Sequence, residues 1–269
     1  MPPADVAFLK PFVPAHIQRY LAGRGSTPIE ASETNVEAAA LVADIAGFTA
    51  LTEAFEAAHA EGADKLSGLL DELFDLLNGT VEAHGGEVVH IAGDGLLAIW
   101  PVAAESELGS AVRDSVAAGL RIQDRVAERN ATADLTVRMR VGVGAGSIWM
   151  PIVGSDAGGW FAPSGGPPLE QIATALKAAR PGDVIVSAEA ARAAGEHVAG
   201  VVSPQGLVRA ESATVEAGHR DTPTIELAEP LLAKFVPEIV AARSLAGMTG
   251  RFAEIRQATT VFVAVRDLP

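Results

Sequence analysis

Hydrophobic and polar residues follow two different periods along the chain, and each change of period predicts where a strand gives way to a helix. The first continuous apolar run, 38–43, stops at Asp44. It is too short for a stable helix and is bounded by polar residues, so it predicts a buried strand. After a turn, Thr49 is the expected N-cap of a helix, with Thr52 as the competing choice. A 3.6-residue apolar period then predicts a long helix over 63–84.

The next part of the chain predicts a hairpin. Apolar segments at 87–91 and 96–100 flank a Gly-Asp-Gly turn at 93–95, which is typical of two strands joined by a tight turn. A second helix is expected over 106–128, and a strand over 135–145, where apolar residues alternate. The resulting order of strand, helix, two strands, helix and strand is the βαββαβ pattern of a ferredoxin-like fold, in the α/β (α+β) class.

Further elements follow this core, so we expect additional C-terminal strands. The spacing predicts strands at 148–153, 160–162 and 184–187, a helix over 169–179, and short edge strands within 200–228. We expect the chain to divide into a peripheral N-terminal segment at 1–37, a main domain at 38–229 and a C-terminal part at 230–269.

A short internal repeat indicates the nature of the C-terminal part. The tripeptide Phe-Val-Pro occurs at 12–14 and again at 235–237, and each copy precedes an amphipathic stretch, a glycine and an apolar strand. The second of these strands is predicted at 261–265, and Val265 stands where the first copy has Asp44. A linker and the first strand of a truncated second domain explain this pattern. The alternative is a chance match of three residues.

Composition and charge narrow the classes of function. Asp and Glu number 34 against 20 for Lys and Arg, which gives a net charge of −14. So acidic a chain is a poor candidate for electrostatic capture of nucleic acid or of an anionic membrane. The absence of cysteine excludes disulfides, thiol catalysis and cysteine-ligated metal centres. The sequence has neither a signal-peptide pattern nor a long apolar run, so a cytoplasmic protein is expected.

Two aspartates carry the candidate chemistry. Asp44 ends the first predicted strand and Asp94 lies in the hairpin turn, so adjacent strands would bring both carboxylates to one edge of the sheet. Such carboxylates repel each other unless a cation compensates them, and oxygen ligands favour Mg²⁺ or Mn²⁺. Backbone N–H groups at 46–49 begin a helix, where phosphates bind. The combination predicts two-metal phosphoryl chemistry; the alternative is that Asp44 is a helix cap and Asp94 a turn residue.

Four segments of the chain resemble one known family. They are residues 41–53 (Leu-Val-Ala-Asp-Ile-Ala-Gly-Phe-Thr-Ala-Leu-Thr-Glu), 85–95 (Gly-Gly-Glu-Val-Val-His-Ile-Ala-Gly-Asp-Gly), 137–146 and 181–187. In this order they resemble the class III nucleotidyl cyclases, which make cyclic AMP or cyclic GMP from the triphosphate. The resemblance is strongest to the first catalytic domain of the soluble, bicarbonate-responsive adenylyl cyclase branch. In that family two cyclase domains pair head to tail, with active sites at their interface.

The resemblance implies which residues bind metal and phosphate. The metal ligands correspond to the catalytic aspartates Asp44 and Asp94 and to the carbonyl of Ile45. The positions that hold the phosphates of the substrate correspond to Gly47, Phe48, Thr49 and Arg140. For Arg140 the alternative is an ordinary solvated charge on a strand.

Several positions depart from the family pattern. Self-sufficient members carry an asparagine and an arginine on the helix before the Pro-Gly pair, where they orient the ribose and stabilise the transition state. Glu170 and Thr174 occupy these positions here, and neither replaces a guanidinium. The base-selecting positions are occupied by Pro167 and His90. His90 is then a remnant polar group of a degenerate second site, or alternatively a solvated hairpin histidine.

These features imply the metal-binding half of an adenylate cyclase. The chain would bind a nucleoside triphosphate, ATP in preference to GTP, with two Mg²⁺ or Mn²⁺ ions per site. It would form cyclic AMP and pyrophosphate when paired with a second cyclase domain, in tandem or in trans. The isolated chain would be inactive, because the transition-state residues belong to the partner domain. The alternative is a catalytically inactive nucleotide-sensing or dimerisation module of the same fold.

Overall fold

The computed structural model describes residues 9–24, 27–57, 60–214 and 229–237, together with Ala241. The strands are β1 (Asn35–Ile45), β2 (Glu87–Ala92), β3 (Gly95–Pro101), β4 (Met139–Trp149), β5 (Val153–Ser155), β6 (Gly159–Phe161), β7 (Val184–Val186), β8 (Val198–Val202) and β9 (Val208–Ala213). The α-helices are α1 (Ala15–Ala22), α2 (Phe48–Ala57), α3 (Ala60–Ala83), α4 (Leu108–Asn130), α5 (Pro167–Ala178), α6 (Ala188–Ala194) and α7 (Glu229–Leu232). Short 3₁₀ helices cover Lys10–Phe12, Glu105–Glu107, Gly195–His197 and Ala233–Phe235. None of the helices in the described ranges combines the length and apolar character that crossing a membrane requires.

The main sheet confirms the predicted ferredoxin-like pattern. Its strand order is β2-β3-β1-β4-β7-β9-β8, and β1 lies between β3 and β4, antiparallel to both. The β2-β3 hairpin stands between α3 and α4 in the chain, so the order is βαββαβ. β7, which runs parallel to β4, and the β8-β9 hairpin extend the sheet as the additional C-terminal strands.

Several element boundaries differ from the prediction. The predicted strand at 148–153 is not continuous, because β4 ends at Trp149 and β5 begins only at Val153. β1 begins at Asn35 rather than at residue 38, because its first three residues also pair with β4. α2 begins at Phe48, so Thr49 and Thr52 both lie inside the helix and neither is its N-cap; the Thr52 hydroxyl donates to the Thr49 carbonyl at 2.8 Å. β4 begins only at Met139 and extends to Trp149.

The late start of β4 has a local cause. The side chain of Asn130, the last residue of α4, donates to the Val137 carbonyl at 2.7 Å and accepts from the Val137 N–H at 3.0 Å. Both backbone groups of Val137 are therefore bonded to a helix end instead of to a strand neighbour. The predicted strand over 135–145 is shifted towards the C-terminus as a result.

The sequence pattern does not predict helix α6. Its residues are mostly alanine, so they produce no apolar period. The helix begins with a side-chain cap, because the Ser187 hydroxyl accepts from the Ala190 N–H at 3.0 Å.

The two faces of the sheet have separate cores. On one face, α3 and α4 pack against buried residues such as Leu41, Leu96 and Trp100, whose indole N–H donates to the His84 carbonyl at 2.8 Å. The opposite face is covered in part by α5, which places Ile172 against the sheet. Alternate residues of β1 therefore pack into two different cores. This explains why the sequence of the strand is a continuous apolar run.

A third cluster joins the two ends of the described chain, and we call it the end cluster. Its buried members are Leu9, Val13, Ile17, Leu21, Ile29, Ile152, Trp160, Leu232 and Val236. Val13 and Val236 are the central residues of the two Phe-Val-Pro copies, and the Lys234 ammonium donates to the Asp156 carboxylate at 2.6 Å beside them. The segment at 229–237 is thus packed on this domain. The predicted second strand, 261–265, lies outside the described residues, so the division of the chain into domains stays a prediction.

Candidate active site

The register of the sheet brings the two predicted aspartates together. Asp44 stands near the end of β1, opposite Gly95 of β3 on one side and opposite Arg140 of β4 on the other. Asp94 directly precedes β3, and its carbonyl accepts the Ile45 N–H at 3.3 Å. The turn that carries Asp94 includes Gly93, whose φ of +61° is in the left-handed region that favours glycine.

The two carboxylates affect each other electrostatically. Partial burial is the main cause that raises the pKa of Asp94 above its ordinary value. The nearby charge of Asp44 and a hydrogen bond between the two carboxyl groups raise it further, while its own backbone N–H and the charge of Arg140 act in the opposite direction. The site therefore carries negative charge that Arg140 compensates only in part.

The donor set fits a divalent metal ion. Two carboxylates beside the Ile45 backbone supply oxygen ligands of the kind that Mg²⁺ and Mn²⁺ prefer. Among the described residues no group of three or more His, Asp or Glu side chains could hold a metal. A metal here would complete its coordination with backbone, solvent or substrate oxygens, as Mg²⁺ commonly does in phosphate-binding sites.

The loop after Asp44 differs from expectation in one backbone group. The Ala46 N–H donates to the Arg138 carbonyl at 2.8 Å, so it is not available to a phosphate, contrary to the prediction for 46–49. The turn at Gly47 has a φ of +77°, and α2 begins immediately after it. The first N–H groups of a helix have no partner within the helix, which leaves Gly47, Phe48 and Thr49 as the phosphate-binding positions to be tested.

Arg140 is not a solvated strand charge. Its guanidinium forms an ion pair with the Asp44 carboxylate directly across the strands, and its side chain is 35% exposed. The pairing follows from the register of β1 and β4, which the sequence pattern does not specify.

Glu170 and Thr174 lie away from the aspartates. Both are exposed on α5, where the Thr174 hydroxyl donates to the Glu170 carbonyl at 3.1 Å. They line a surface cleft together with Pro167, Gln171, Ser187, Ala188, Glu189, Gln205 and Leu207. The lining of this cleft includes neither Asp44 nor Asp94, so the two sets of predicted site residues form separate surfaces on one chain.

His90 is half-buried, which contradicts the alternative of a solvated histidine. Its Nε2 lies 3.2 Å from the Ser164 hydroxyl, and burial is the main cause that lowers its pKa; a backbone hydrogen bond at Ala162 acts against this shift. Close to it is His16 of α1, which sequence reasoning misses because an isolated histidine in an amphipathic stretch carries no signal. Both ring nitrogens of His16 are buried without a hydrogen-bond partner in the described part of the chain. Burial, followed by the charges of Arg19 and His90, lowers the pKa of His16 to about 3.

A βαββαβ sheet with two aspartates at the ends of its central strands is the arrangement that the sequence predicts for a domain of the nucleotidyl cyclase type. Comparison with known proteins agrees. Residues 30–160 match the family model of the adenylate and guanylate cyclase catalytic domain. The predicted family resemblance is thereby confirmed.

Individual cyclases also show similarity to the chain. Adenylate cyclase type 10 of Mus musculus is 28% identical over 185 residues, a match that covers 68% of this chain but 11% of the mouse protein. The chain thus corresponds to about a tenth of the length of that relative. The structure of the guanylyl cyclase Cya2 aligns with a TM-score of 0.56 at 18% identity over 74% of this chain and 100% of its own. The adenylyl cyclase CyaB from P. aeruginosa aligns at 0.55 and 16% over 71% of this chain and 100% of its own. These structures establish the shared fold.

Proposed function

We propose that this chain is the metal-binding half of an adenylate cyclase. The observation that carries the proposal is the meeting of Asp44 and Asp94 at the ends of neighbouring strands, with Arg140 directly opposite Asp44. The similarity to adenylate cyclase type 10 supports ATP rather than GTP as the substrate. A cytoplasmic location and the use of two metal ions per site are parts of the same proposal.

The reaction places distinct demands on the residues of this chain. The ribose 3′-hydroxyl attacks the α-phosphorus in line, the bond to the β-phosphate oxygen breaks, and pyrophosphate leaves. Asp44 and Asp94, with the carbonyl of Ile45, would hold the Mg²⁺ or Mn²⁺ ions, which when bound lower the pKa of the attacking hydroxyl and offset phosphate charge. Arg140 and the backbone at 47–49 would bind the phosphates and fix their orientation.

The chain lacks the asparagine and the arginine that orient the ribose and stabilise the transition state, so the proposal includes a second cyclase domain. Glu170 adds negative charge where the transition state needs a cation, and Thr174 provides no charge at all. We therefore propose that a complementary domain contributes the ribose-orienting, transition-state and base-selecting groups. Its own surface would face the aspartates of this chain.

A second candidate function is a catalytically inactive nucleotide-sensing or dimerisation module. The observation that favours it is the same pair, Glu170 and Thr174, exposed on α5 in place of an asparagine and an arginine. Both functions share nucleotide binding and differ in whether a partner restores turnover.

Loss of either aspartate tests the metal site. Asp44→Ala and Asp94→Ala should each reduce Mn²⁺-dependent binding of a non-hydrolysable ATP analogue at least tenfold, because each removes half of the ligand charge. Isothermal titration calorimetry measures the affinity, and Asp134→Ala, which removes one exposed carboxylate elsewhere, is the matched control. Unchanged binding in either site variant would refute the metal assignment.

A further inference from the structure

The ion pair between Arg140 and Asp44 occupies one of the groups that the proposed function assigns to a metal ion. The guanidinium of Arg140 contacts Oδ2 of Asp44, and cross-strand pairing of β1 and β4 holds the two residues opposite each other. On the other side of Asp44, the β1-β3 register places the turn that carries Asp94. Asp44 therefore lies between the Arg140 guanidinium and a second carboxylate.

We propose that Arg140 is a built-in counter-ion that competes with the metal for Asp44 and is released to the triphosphate when the metal binds. The inference rests on the proposed function and deepens it, since it names Arg140 as the residue that couples metal binding to phosphate binding. Before the substrate binds, Arg140 is a positioning residue that orients the Asp44 carboxylate. After the metal binds, it contacts the phosphates of the substrate.

Charge balance explains why the pair forms. Asp44 and Asp94 together carry two negative charges, and Arg140 lowers their mutual repulsion in the absence of a metal. When a divalent ion takes the oxygen that Arg140 contacts, two cations lie close together and the guanidinium is repelled from the site. A triphosphate bound beside the aspartates offers it a new anionic partner.

The remaining hydrogen-bonding capacity of Arg140 agrees with a residue that changes partner. Its Nε is buried and has no hydrogen-bond partner among the residues that the structure describes. A buried donor without a partner costs free energy. A phosphate oxygen that accepted a hydrogen bond from Nε would remove this cost, which the ion pair with Asp44 does not. Oriented donors of this kind suit the tetrahedral phosphate group.

The competition makes metal and triphosphate binding mutually dependent. Metal alone must displace Arg140 from Asp44, and triphosphate alone finds Arg140 already paired. Each ligand lowers the cost of binding the other, and the coupling is reciprocal. The site thereby favours the metal–nucleotide complex over the free metal ion.

Removal of the guanidinium tests this proposal. Arg140→Gln should bind Mn²⁺ alone about two- to tenfold more tightly than the unmodified chain, the range expected when an ion pair of this exposure no longer competes. The same variant should bind the Mn²⁺ complex of a non-hydrolysable ATP analogue more weakly. Calorimetry of the 269-residue chain, at an ionic strength of about 0.3 M that screens long-range effects, measures both affinities.

Two further variants distinguish loss of the Arg140–Asp44 ion pair from a general loss of positive charge and test the location of the metal site. Arg138→Gln removes an exposed positive charge two residues earlier in the chain. It controls for the effect that losing one positive charge has on Mn²⁺ affinity. Equal shifts in Arg138→Gln and Arg140→Gln, or no gain in Mn²⁺ affinity in Arg140→Gln, would overturn the competition. Asp44→Asn identifies the site: if Mn²⁺ binding to the unmodified chain survives this change, the proposed metal site itself is wrong, and the inference fails with it.

Discussion

At the scale of single residues, the site is governed by which charges have a partner. Asp44 is paired with Arg140, whereas partial burial, followed by the nearby Asp44 carboxylate, raises the pKa of Asp94. The sequence identifies both aspartates, because each stands at a strand end with a turn signal beside it. It does not identify the pairing with Arg140, which depends on a strand register that no local pattern determines. It gives no sign of the burial of His16 either.

His16 predicts a pH dependence of stability. Its pKa is lowered from 6.5 to about 3 in the folded chain, so between these values the unfolded chain takes up a proton that the folded chain does not. Stability is therefore lost as the pH falls below 6.5, by about 1.4 kcal/mol at pH 5.5 for one such group. His16→Leu should remove this part of the loss. Urea unfolding at pH 7.5 and 5.5 measures it.

The exposed His197 provides the comparison for this experiment. His197→Gln should leave the loss between pH 7.5 and 5.5 as large as in the unmodified chain. The contradicting outcome is that His16→Leu loses as much unfolding free energy between pH 7.5 and 5.5 as the unmodified chain. That result would mean that the His16 imidazole is protonated in the folded chain and is not buried in solution.

At the scale of elements, the sequence predicts what local periodicity and turn chemistry determine. The strand at Asp44, the Gly-Asp-Gly hairpin and the long helix α3 all follow from such signals. The late start of β4 depends on the side chain of Asn130, and α6 depends on a capping serine ahead of an alanine-rich segment. The Ser187 cap is the signal that could have identified α6. The end cluster is a tertiary feature, because its members come from four separate parts of the chain.

The end cluster predicts that the segment at 229–237 contributes to the stability of the domain. Leu232 is fully buried within it, so Leu232→Ala should lower the free energy of unfolding by about 2–4 kcal/mol. Val202→Ala, at a position that is 66% exposed, should cost less than about 0.5 kcal/mol. Urea denaturation compares the two variants. Equal, small losses would mean that this segment is a linker without a packing role.

At the scale of the whole molecule, one chain carries two surfaces that belong to different sites. The aspartates and Arg140 form the surface that we propose holds metal and phosphate, whereas the cleft around Glu170 and Thr174 is lined by no Lys or Arg side chain of the described residues. A symmetric pair of these chains would place Glu170 and Thr174 opposite the aspartates in both sites. Such a pair is expected to bind the metal–nucleotide complex without turning it over.

The most direct test of this account is the formation of cyclic AMP from ATP and Mn²⁺, first by the chain alone and then with a partner. The partner is a separate cyclase domain that carries the asparagine, the arginine and a base-selecting lysine but has its own metal aspartates replaced. We expect no turnover by either protein alone and robust turnover by the mixture, lost again when Asp44→Ala is used. An oriented cation at the transition state contributes several kcal/mol, roughly a factor of 10³ or more in rate. Robust turnover by the chain alone, or none in a mixture that forms the heterodimer, would contradict the account.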